Sequence, residues 1–486
     1  MTRPMSARAA LLAVCALLSG CVAGPEYKKP VLEMPVAWKV DSPWRVATPE
    51  DATAKGPWWQ AFGDPELNAL EERASANNAT LAIASARLTQ ARATLAATSA
   101  SLFPQLGTTD RVQRLQISAN RPLTNYKSPN YSTIQNETTL AMAVNYELDL
   151  AGRVAQSINS AKASLEQSAA DLENTRLLLS ADLATNYFNL REIDIETDVL
   201  RRAIGLQQRS LELMSARHDL GAATGLDLAQ QQALLDTTLV QLDLLARQRS
   251  QFEHAIATLV GTPAAQFALP VSERVVNAPP VPLGLPSDIL ERRPDVASAE
   301  RAMAAANAQI GVASAAYYPS VILGASGGFD AVVLRSLFDA PSLIWAFGAT
   351  LAQTLFDGGR IKANVDFASA GYDATVANYR RVTLVAMQEV EDGITGLATL
   401  EHATLQAGIA VDTGRRVLDM TTARYEGGAS TSLEVIIAQQ SLLNNERQVA
   451  QLRGQQLVTA VFLIKALGGG WQGESLASSQ GSATAR

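Results

Sequence analysis

Two long segments of the chain carry apolar residues at the seven-residue spacing of a coiled coil. The seam residues are Leu165, Leu172, Leu179, Leu183 and Leu190 in the first segment and Val376, Val390 and Leu397 in the second. This spacing predicts two long helices, the first from Val154 to Asp219. At about 1.5 Å per residue, that helix has a length of roughly 90 to 100 Å. It exceeds the width of a globular domain, so it is predicted to be a spacer or the wall of a tube.

Each long helix is followed by a glycine and then by a second segment with helical periodicity. Gly221 and Gly428 stand at equivalent points, and return helices are predicted from Asp227 to Leu259 and from Glu434 to Leu467. The pattern therefore predicts two antiparallel helical hairpins, each with a glycine at its tip.

Two shorter helices are also predicted, one near the start of each half of the chain. The first opens at Asp64-Pro65, with Asp as the N-cap and Pro at the first helical position, and continues to about Ala100. The second extends from Ser287 to Ala316.

The apolar period changes to two in the segment before each long helix. Apolar side chains alternate with small or polar ones in Leu140 to Leu150 and again in Trp345 to Leu355. Weaker alternation follows Pro104 and Pro319. Each half therefore contributes one predicted β-hairpin, which gives the chain four strands.

The two halves are copies of one another. Asp149–Val154 (DLAGRV) recurs as Phe356–Ile361 (FDGGRI), and Ala216–Leu228 recurs as Ala423–Val435, in both cases 207 positions downstream. A constant shift across a long helical stretch indicates one structural unit that has been doubled.

The N-terminus is typical of a secretion signal. Arg3 and Arg8 precede an apolar run that is too short to be a permanent membrane span. Residues 18–21 (LSGC) resemble the lipobox of bacterial lipoproteins, which implies removal of the signal and lipidation of Cys21. Val22 stands where lipoproteins of the inner membrane carry Asp, so the resemblance implies the outer membrane. The alternative is an ordinary signal peptide cut elsewhere, which leaves Cys21 as a free thiol.

Composition and charge exclude several other classes. The formal net charge of −7 argues against a nucleic-acid partner. Cys15 leaves with the signal, so one chain cannot form a disulfide scaffold or a cysteine metal site. The histidines are scattered, and the sequence has no metalloprotease, nucleophile-elbow or P-loop motif. We therefore expect no catalytic site, no metal and no cofactor other than the lipid at Cys21.

Strands with one apolar face fit either a soluble sheet over a core or a transmembrane barrel. The strands alone do not decide between them, but the secretion signal and the long helices favour the barrel. Unpaired backbone groups in lipid are too costly to persist, and about eight strands are needed for closure, so chains must combine their strands. Two chains give about eight strands and a filled lumen, and three give about twelve and an open passage. The small, polar inward face favours three.

Five groups of residues resemble landmarks of the outer membrane factor family, of the TolC and OprM type. The first is Gly24-Pro25-Glu26-Tyr27 with Pro30, and the second is Trp58-Trp59 through Phe62 together with Asp64-Pro65 and Leu67. The third is the GLPSDILERRPDVASAE block from Gly284 to Glu300. The fourth is Ala306-Asn307-Ala308 with Ile310-Gly311, and the fifth is FDGGR from Phe356 to Arg360. The resemblance extends from Cys21 to about Gly470. The chain is thus similar to the lipoproteins of the NodT branch, which serve RND multidrug and metal efflux systems.

The resemblance implies a mainly helical homotrimer with a twelve-stranded transmembrane β-barrel, four strands from each chain. The barrel is joined to an α-helical coiled-coil barrel that crosses the periplasm and closes at the helical tips. The implied partners are outer membrane lipid, a periplasmic adaptor protein and an inner-membrane RND-type pump. The chain itself is then a passive conduit for drugs or other small toxic solutes. The alternatives are the exit duct of a type I protein secretion system and a periplasmic adaptor lipoprotein.

The resemblance also assigns residues that hold the tips closed. Arg424 and Tyr425 match a pair just before the turn of the second hairpin that helps to keep the family's aperture shut. Arg217 is the equivalent of Arg424 in the first copy and is assigned the same role.

Four further residues are assigned to the periplasmic aperture. Leu433 and Glu434 match the constricting positions of the family, and Asp227 is the first-copy equivalent of Glu434. Ile437 stands where much of the family has another acid, which implies a partly apolar constriction and weaker cation selectivity. The alternative interpretation of both acids is structural, because carboxylates are favoured in the first turn of any helix.

The predicted organisation follows from these assignments. It comprises a signal peptide (1–20), a lipid-anchored strap (21–64), the first repeat (65–270), a Pro-rich connector (271–286), the second repeat (287–470) and a C-terminal tail (471–486).

Overall fold

A computed structural model describes residues 24–28, 56–119, 133–272, 274–280 and 292–469. The predicted signal peptide, Cys21, most of the strap, much of the connector and the C-terminal tail lie outside the described residues. A short 3₁₀ helix, Trp58–Phe62, precedes the first α-helix. The bounds of the predicted segments stay a prediction.

The first predicted helix is in fact two helices, which corrects the prediction. α1 (Pro65–Asn77) begins after Asp64, whose carboxylate accepts two backbone N–H groups as expected of an N-cap. α2 (Ala79–Ser99) follows after Asn78, which has extended backbone angles. The Asn78 side chain caps α2 by accepting two backbone N–H groups at 2.8 and 3.1 Å, and it donates to the Leu259 carbonyl at 2.8 Å. The break is therefore held by a contact distant in sequence.

The two helical hairpins are present as the periodicity predicts. α3 (Arg153–Asp219) and α4 (Gly225–Leu259) form the first. After α5 (Pro294–Ala315), the second consists of α6 (Arg360–Glu426) and α7 (Ser432–Ala466). Both long helices have 67 residues and both return helices have 35, so the two copies match in length.

Four antiparallel strands form one sheet in the order β1-β2-β3-β4. They are β1 (Gln105–Ile117), β2 (Thr133–Leu148), β3 (Ser320–Ala331) and β4 (Leu343–Ala352). The predicted hairpins β1–β2 and β3–β4 are confirmed. β2 also pairs with β3, with Thr138 opposite Ala331 and Leu148 opposite Val321, so backbone hydrogen bonds join the two repeats.

The last strand is shorter than predicted and carries large apolar side chains at its surface. β4 ends at Ala352, before the predicted end at Leu355. Trp345 and Phe347 are each 78% exposed. Exposed aromatic side chains on a strand indicate that this surface contacts an apolar partner, either lipid or protein.

Contacts divide the described chain into two units. One contains residues 88–167 and 299–379 with the sheet, together with 24–28. The other contains residues 56–87, 168–272, 274–280, 292–298 and 380–469. Its largest apolar cluster includes Trp58, Phe188 and Ile464, and the Trp58 indole donates to the Ser180 hydroxyl at 3.1 Å. Both hairpin tips belong to this second unit, which therefore holds every predicted gate and aperture residue.

Candidate functional site

Both hairpins turn through the same backbone motif. In the first, the N–H of Ala222 bonds the carbonyl of Arg217 at 2.7 Å, and the N–H of Gly221 bonds that of His218 at 2.8 Å. This is a Schellman motif, which requires a residue with positive φ. Gly221 has φ 71° and its equivalent Gly428 has φ 76°. The predicted role of these glycines as tip residues follows from this geometry.

Arg217 reaches from the first hairpin to the end of the second. Its guanidinium donates to the carbonyls of Tyr425 at 3.1 Å and Glu426 at 3.2 Å. It also stands over the Tyr425 ring, with Cζ 4.6 Å from the centroid. A cation is favoured at a helix C-terminus, where carbonyls lack helical partners, and over an aromatic face. The structure therefore brings two of the predicted gate residues together.

Tyr425 is buried beneath this contact. It belongs to an apolar cluster with Met214, Leu418, Val435 and Ala438 that draws on both hairpins. The cluster packs the tips against each other below the Arg217 contact.

Asp227 connects the two return helices. Its carboxylate accepts from the backbone N–H and the hydroxyl of Thr224, at 2.9 and 2.7 Å, in a capping box. The other oxygen accepts from the hydroxyl of Ser432 in the second hairpin. The bonds from Ser432 and then Thr224 hold the pKa of the Asp227 carboxyl below its usual range. Asp227 is therefore an anionic anchor shared by both hairpins.

The equivalent residues of the second copy face their own turn. The hydroxyl of Ser430 donates to Glu434 at 2.7 Å, and Arg424 donates to the carbonyl of Ala429 at 3.2 Å. Thr431 occupies the N-cap of α7 with no side-chain cap bond. Glu434 and Arg424 thus lie at the tip, as predicted, and both of these bonds stay within their own hairpin.

Leu433 and Ile437 point away from the cluster below them. They are 48% and 58% exposed, whereas their neighbours Val435 and Ile436 are buried. Leu226, the first-copy equivalent of Leu433, is 67% exposed. Each return helix therefore presents an uncovered leucine in its first turn.

The sequence interpretation missed three residues of this site. Leu226 could have been found, because it is Leu433 shifted by one repeat. Thr224 could also have been found, because Thr at an N-cap with Asp three residues later is a capping-box pattern. Ser432 left no signal, because the first copy has Gly225 at its place.

Chemically, the tips present acids, one bridging arginine and exposed leucines. Within the described ranges, no group of three or more His, Cys, Asp or Glu side chains is arranged to hold a metal ion. Over the same residues, no helix combines the length and apolarity that crossing a membrane requires.

The profile of the outer membrane efflux protein family matches residues 70–262 and 285–469, which together make up most of the chain. The chain belongs to this family. The pyoverdine export outer membrane protein OpmQ of Pseudomonas aeruginosa is 32% identical over 467 residues, which cover 96% of this chain and 97% of that protein. The toluene efflux pump outer membrane protein TtgF of Pseudomonas putida is 30% identical over 470 residues, 95% of this chain and 96% of that one.

Solved structures of the same kind agree with the fold of this outer membrane efflux protein. The outer membrane protein VceC of Vibrio cholerae has a TM-score of 0.79 at 28% identity and covers 85% of this chain and 99% of its own. The open state of the MtrE outer membrane channel of Neisseria gonorrhoeae has a TM-score of 0.80 at 26% identity, over 93% of this chain and 98% of its own.

These comparisons confirm the predicted family, the mainly helical fold with a four-stranded sheet in two repeats, and the location. The protein is the outer membrane component of an efflux system and extends into the periplasm. Its family is one of efflux channels rather than of enzymes. The roles assigned to individual tip residues and to Cys21 stay predictions.

Proposed function

We propose that this outer membrane efflux protein works as a homotrimeric duct for drugs or other small toxic solutes. The solutes enter from an inner-membrane RND-type pump through a periplasmic adaptor protein, and the pump supplies the energy. The observation that carries the proposal is a four-stranded sheet, with β1 and β4 as its outer strands, in a protein of an outer membrane efflux family.

The outer strands are the reason for the trimer. A strand edge in lipid has backbone groups with no water to bond, so it needs another strand beside it. Pairing β4 of one copy with β1 of the next extends the sheet from chain to chain. Three copies give a barrel of about twelve strands, which is wide enough for an open passage. The exposed Trp345 and Phe347 support a lipid-facing outer surface.

The partners and cargo follow from the same class of system. Relatives named for pyoverdine export and for a toluene efflux pump support small organic solutes over the proteins that a type I secretion duct carries. The two helical hairpins and four strands argue against an adaptor lipoprotein. Cargo selection belongs to the pump, because the duct binds no solute in the proposed mechanism.

The aperture is proposed to lie at the tips. Asp227, Leu433, Glu434 and Ile437 line it, and Arg217, Arg424 and Tyr425 hold it shut. The exposure of Leu433 and Ile437 supports an apolar constriction, and the Arg217 contact with Tyr425 supports a link that must break before the hairpins separate. Of the three holding residues, Arg217 has the strongest support, because it reaches across the two hairpins.

The lipid at Cys21 is proposed as the only covalent or bound group. Gly24 seats against α5 so closely that a Cβ there would lie 2.5 Å from the Cα of Gly311, and Asn307 donates to the Pro25 carbonyl at 3.0 Å. α5 ends at Ala315, shortly before the first residue of β3. Gly24 follows Cys21 by three positions in the sequence. The described part of the GPEY landmark therefore supports an anchor beside the membrane strands.

Purified mature protein tests the proposal. We expect a trimer in detergent, ion conduction in planar bilayers, and loss of resistance to small toxic compounds in a deletion strain. Palmitate labelling should disappear in Cys21→Ser while conduction persists. A monomer that leaves bilayers silent would overturn the duct, and labelling that survives Cys21→Ser would overturn the anchor without affecting the duct.

A further inference from the structure

A buried ion pair between Glu196 and Arg447 joins the two hairpins away from their tips at Gly221 and Gly428. Glu196 of α3 accepts from the Arg447 Nε of α7 at 2.6 Å and from Gln451 at 3.3 Å. Arg447 also donates to Gln241 of α4 at 3.1 Å. Glu196 is buried, so this ion pair lies inside the contact between the helices. Three helices from the two repeats therefore meet at one guanidinium.

A second carboxyl group shares this site. Glu192 lies one turn before Glu196 on α3, so the two carboxyl groups lie on the same face of the helix. It lies directly over Gly454 of α7, where an added Cβ would be 2.5 Å from the Glu192 Cγ. Glu192 is thus confined between the two helices. Two ionised carboxylates repel each other, whereas a proton on one of them allows a hydrogen bond between them.

Other charges around Glu192 already have partners or face solvent. Arg191 binds Asp194 at 2.8 Å and also pairs with Glu66. Arg274 donates to the carbonyl of Gly63 at 3.0 Å, and Arg453 is exposed. Arg447 is therefore the cation that faces the carboxyl pair, and it already serves Glu196.

Burial, followed by the negative charge of Glu196, raises the pKa of Glu192 to about 7, and Arg447 only partly opposes this. We propose that Glu192, Glu196 and Arg447 form a protonation-dependent joint between the hairpins, closed while Glu192 holds a proton and loosened when it loses it. On deprotonation, two carboxylates compete for one guanidinium in a confined space, and the α3–α7 contact weakens.

The direction of the pH effect follows from the raised pKa. The folded protein binds the proton more tightly than the unfolded chain does, so the stabilisation is complete below the ordinary pKa of 4.5 and is lost as the pH rises through about 7. A pKa of about 7 places this transition at neutral pH, where a small change in pH alters the protonation of Glu192. The prediction concerns the joint itself and does not depend on the proposed duct.

Only one of the two repeats contains this carboxyl pair. The positions equivalent to Glu192 and Glu196 in α6 are Thr399 and Ala403. A pH change therefore acts on the contact of α3 with α7, whereas the equivalent positions of α6 have no carboxyl group to titrate.

Amide hydrogen exchange of the full-length protein in detergent tests the joint. Between about pH 5 and pH 8, after correction for intrinsic exchange, we expect the segments around 188–200 and 443–457 to exchange about tenfold faster or more, since one pKa unit is a factor of about ten. Glu192→Gln keeps the volume and donates permanently to Glu196, so it should hold these segments at the low-pH rate. Glu212→Gln, an exposed site on the same helix, should retain the full pH response.

Infrared spectroscopy checks the same point without relying on stability. The wild-type protein should lose a protonated-carboxyl band as the pH rises, and Glu192→Gln should lack that band throughout. Burial raises the pKa of Glu71 to about 9, so a band from Glu71 should persist in both proteins up to about pH 8. An equal pH response of exchange in wild type and Glu192→Gln, or an equal loss of band intensity between pH 5 and pH 8 in the two proteins, would overturn the proposal.

Discussion

The two hairpin tips have the same backbone and opposite side-chain behaviour. In the first, Arg217 and Asp227 both reach across to the other hairpin. In the second, Arg424 and Glu434 stay on their own turn. The duplicated fold fixed the positions of one arginine and one acid in each tip, and the local partners decide what each does. The first copy supplies the charged side chains that cross between the hairpins, and the second supplies the backbone carbonyls and the hydroxyl that they bind.

The largest effect is expected for Arg217→Ala. It removes two hydrogen bonds from a cation and the contact with the Tyr425 ring, which together contribute about 2 to 3 kcal/mol to holding the tips. In bilayers we expect higher conductance and longer openings. The matched comparison is Arg424→Ala, which breaks a contact within its own turn and should raise conductance less than Arg217→Ala does. Equal effects of the two substitutions would mean that the tips are functionally alike.

Asp227→Ala should come next. It removes the capping box and the bond from Ser432, a loss of about 1 to 2 kcal/mol in the free energy of unfolding. Because the folded pKa of Asp227 is lowered, its contribution is complete above the ordinary value of 3.8 and is lost as the pH falls through the lowered value. Thermal melts should therefore show a difference from wild type at neutral pH that narrows in acid.

The control for Asp227 is Glu434→Ala at the equivalent position. It should melt close to wild type at every pH. A difference between wild type and Asp227→Ala that stays constant into strong acid would show that the carboxylate charge does not matter.

Ser432→Ala should cost less, about 0.5 to 1.5 kcal/mol, because one neutral hydroxyl donor is lost. A double-mutant cycle with Asp227→Ala measures the coupling directly, and we expect the two costs to be less than additive because they share one bond. Thr431→Ala serves as the neighbour control, since Thr431 makes no side-chain cap bond. Full additivity in the cycle would separate Ser432 from Asp227.

The smallest change in stability is expected for Glu434→Gln, within about 0.5 kcal/mol, because the side chain is exposed. Its effect should appear in ion selectivity instead, as a reversal potential shifted towards lower cation preference. Ile437→Asp should shift it the other way. An unchanged reversal potential in Glu434→Gln would remove Glu434 from the pore.

Local signals explain what could be predicted from the sequence. The hairpins follow from heptad spacing and from Gly221 and Gly428, and the strands follow from alternation, because each of these signals lies within a single helix, turn or strand. The aperture residues came from resemblance, and the structure gives their contacts. The sequence cannot show that Arg217 crosses to the other hairpin whereas Arg424 does not, because both occupy the same position of the same motif.

Contacts between distant segments account for the errors. The segment from Glu66 to Ala100 is rich in good helix formers, and the prediction of one helix overlooked Asn77-Asn78, although Asn is a preferred N-cap. Asn78 ends α1, and its side chain bonds the Leu259 carbonyl. The pairing of β2 with β3 could not be predicted from the alternation pattern either. That pattern is the same whether the two hairpins pair with each other or stay apart. Glu192 and Glu196 resemble ordinary surface acids of a helix until α7 is placed against them.

The pairing of β2 with β3 has a consequence for how the protein is made. Thr139 and Asp330 face each other although they are 191 positions apart in the chain. The sheet therefore cannot be completed until most of the polypeptide has been exported, and contacts of such high order form slowly. Until then, the edge of β2 that later pairs with β3 is unpaired, and an unpaired strand edge promotes aggregation. The chain should therefore need periplasmic chaperones until β3, in its second half, has paired with β2. Truncation after α4 should yield insoluble material rather than half a channel.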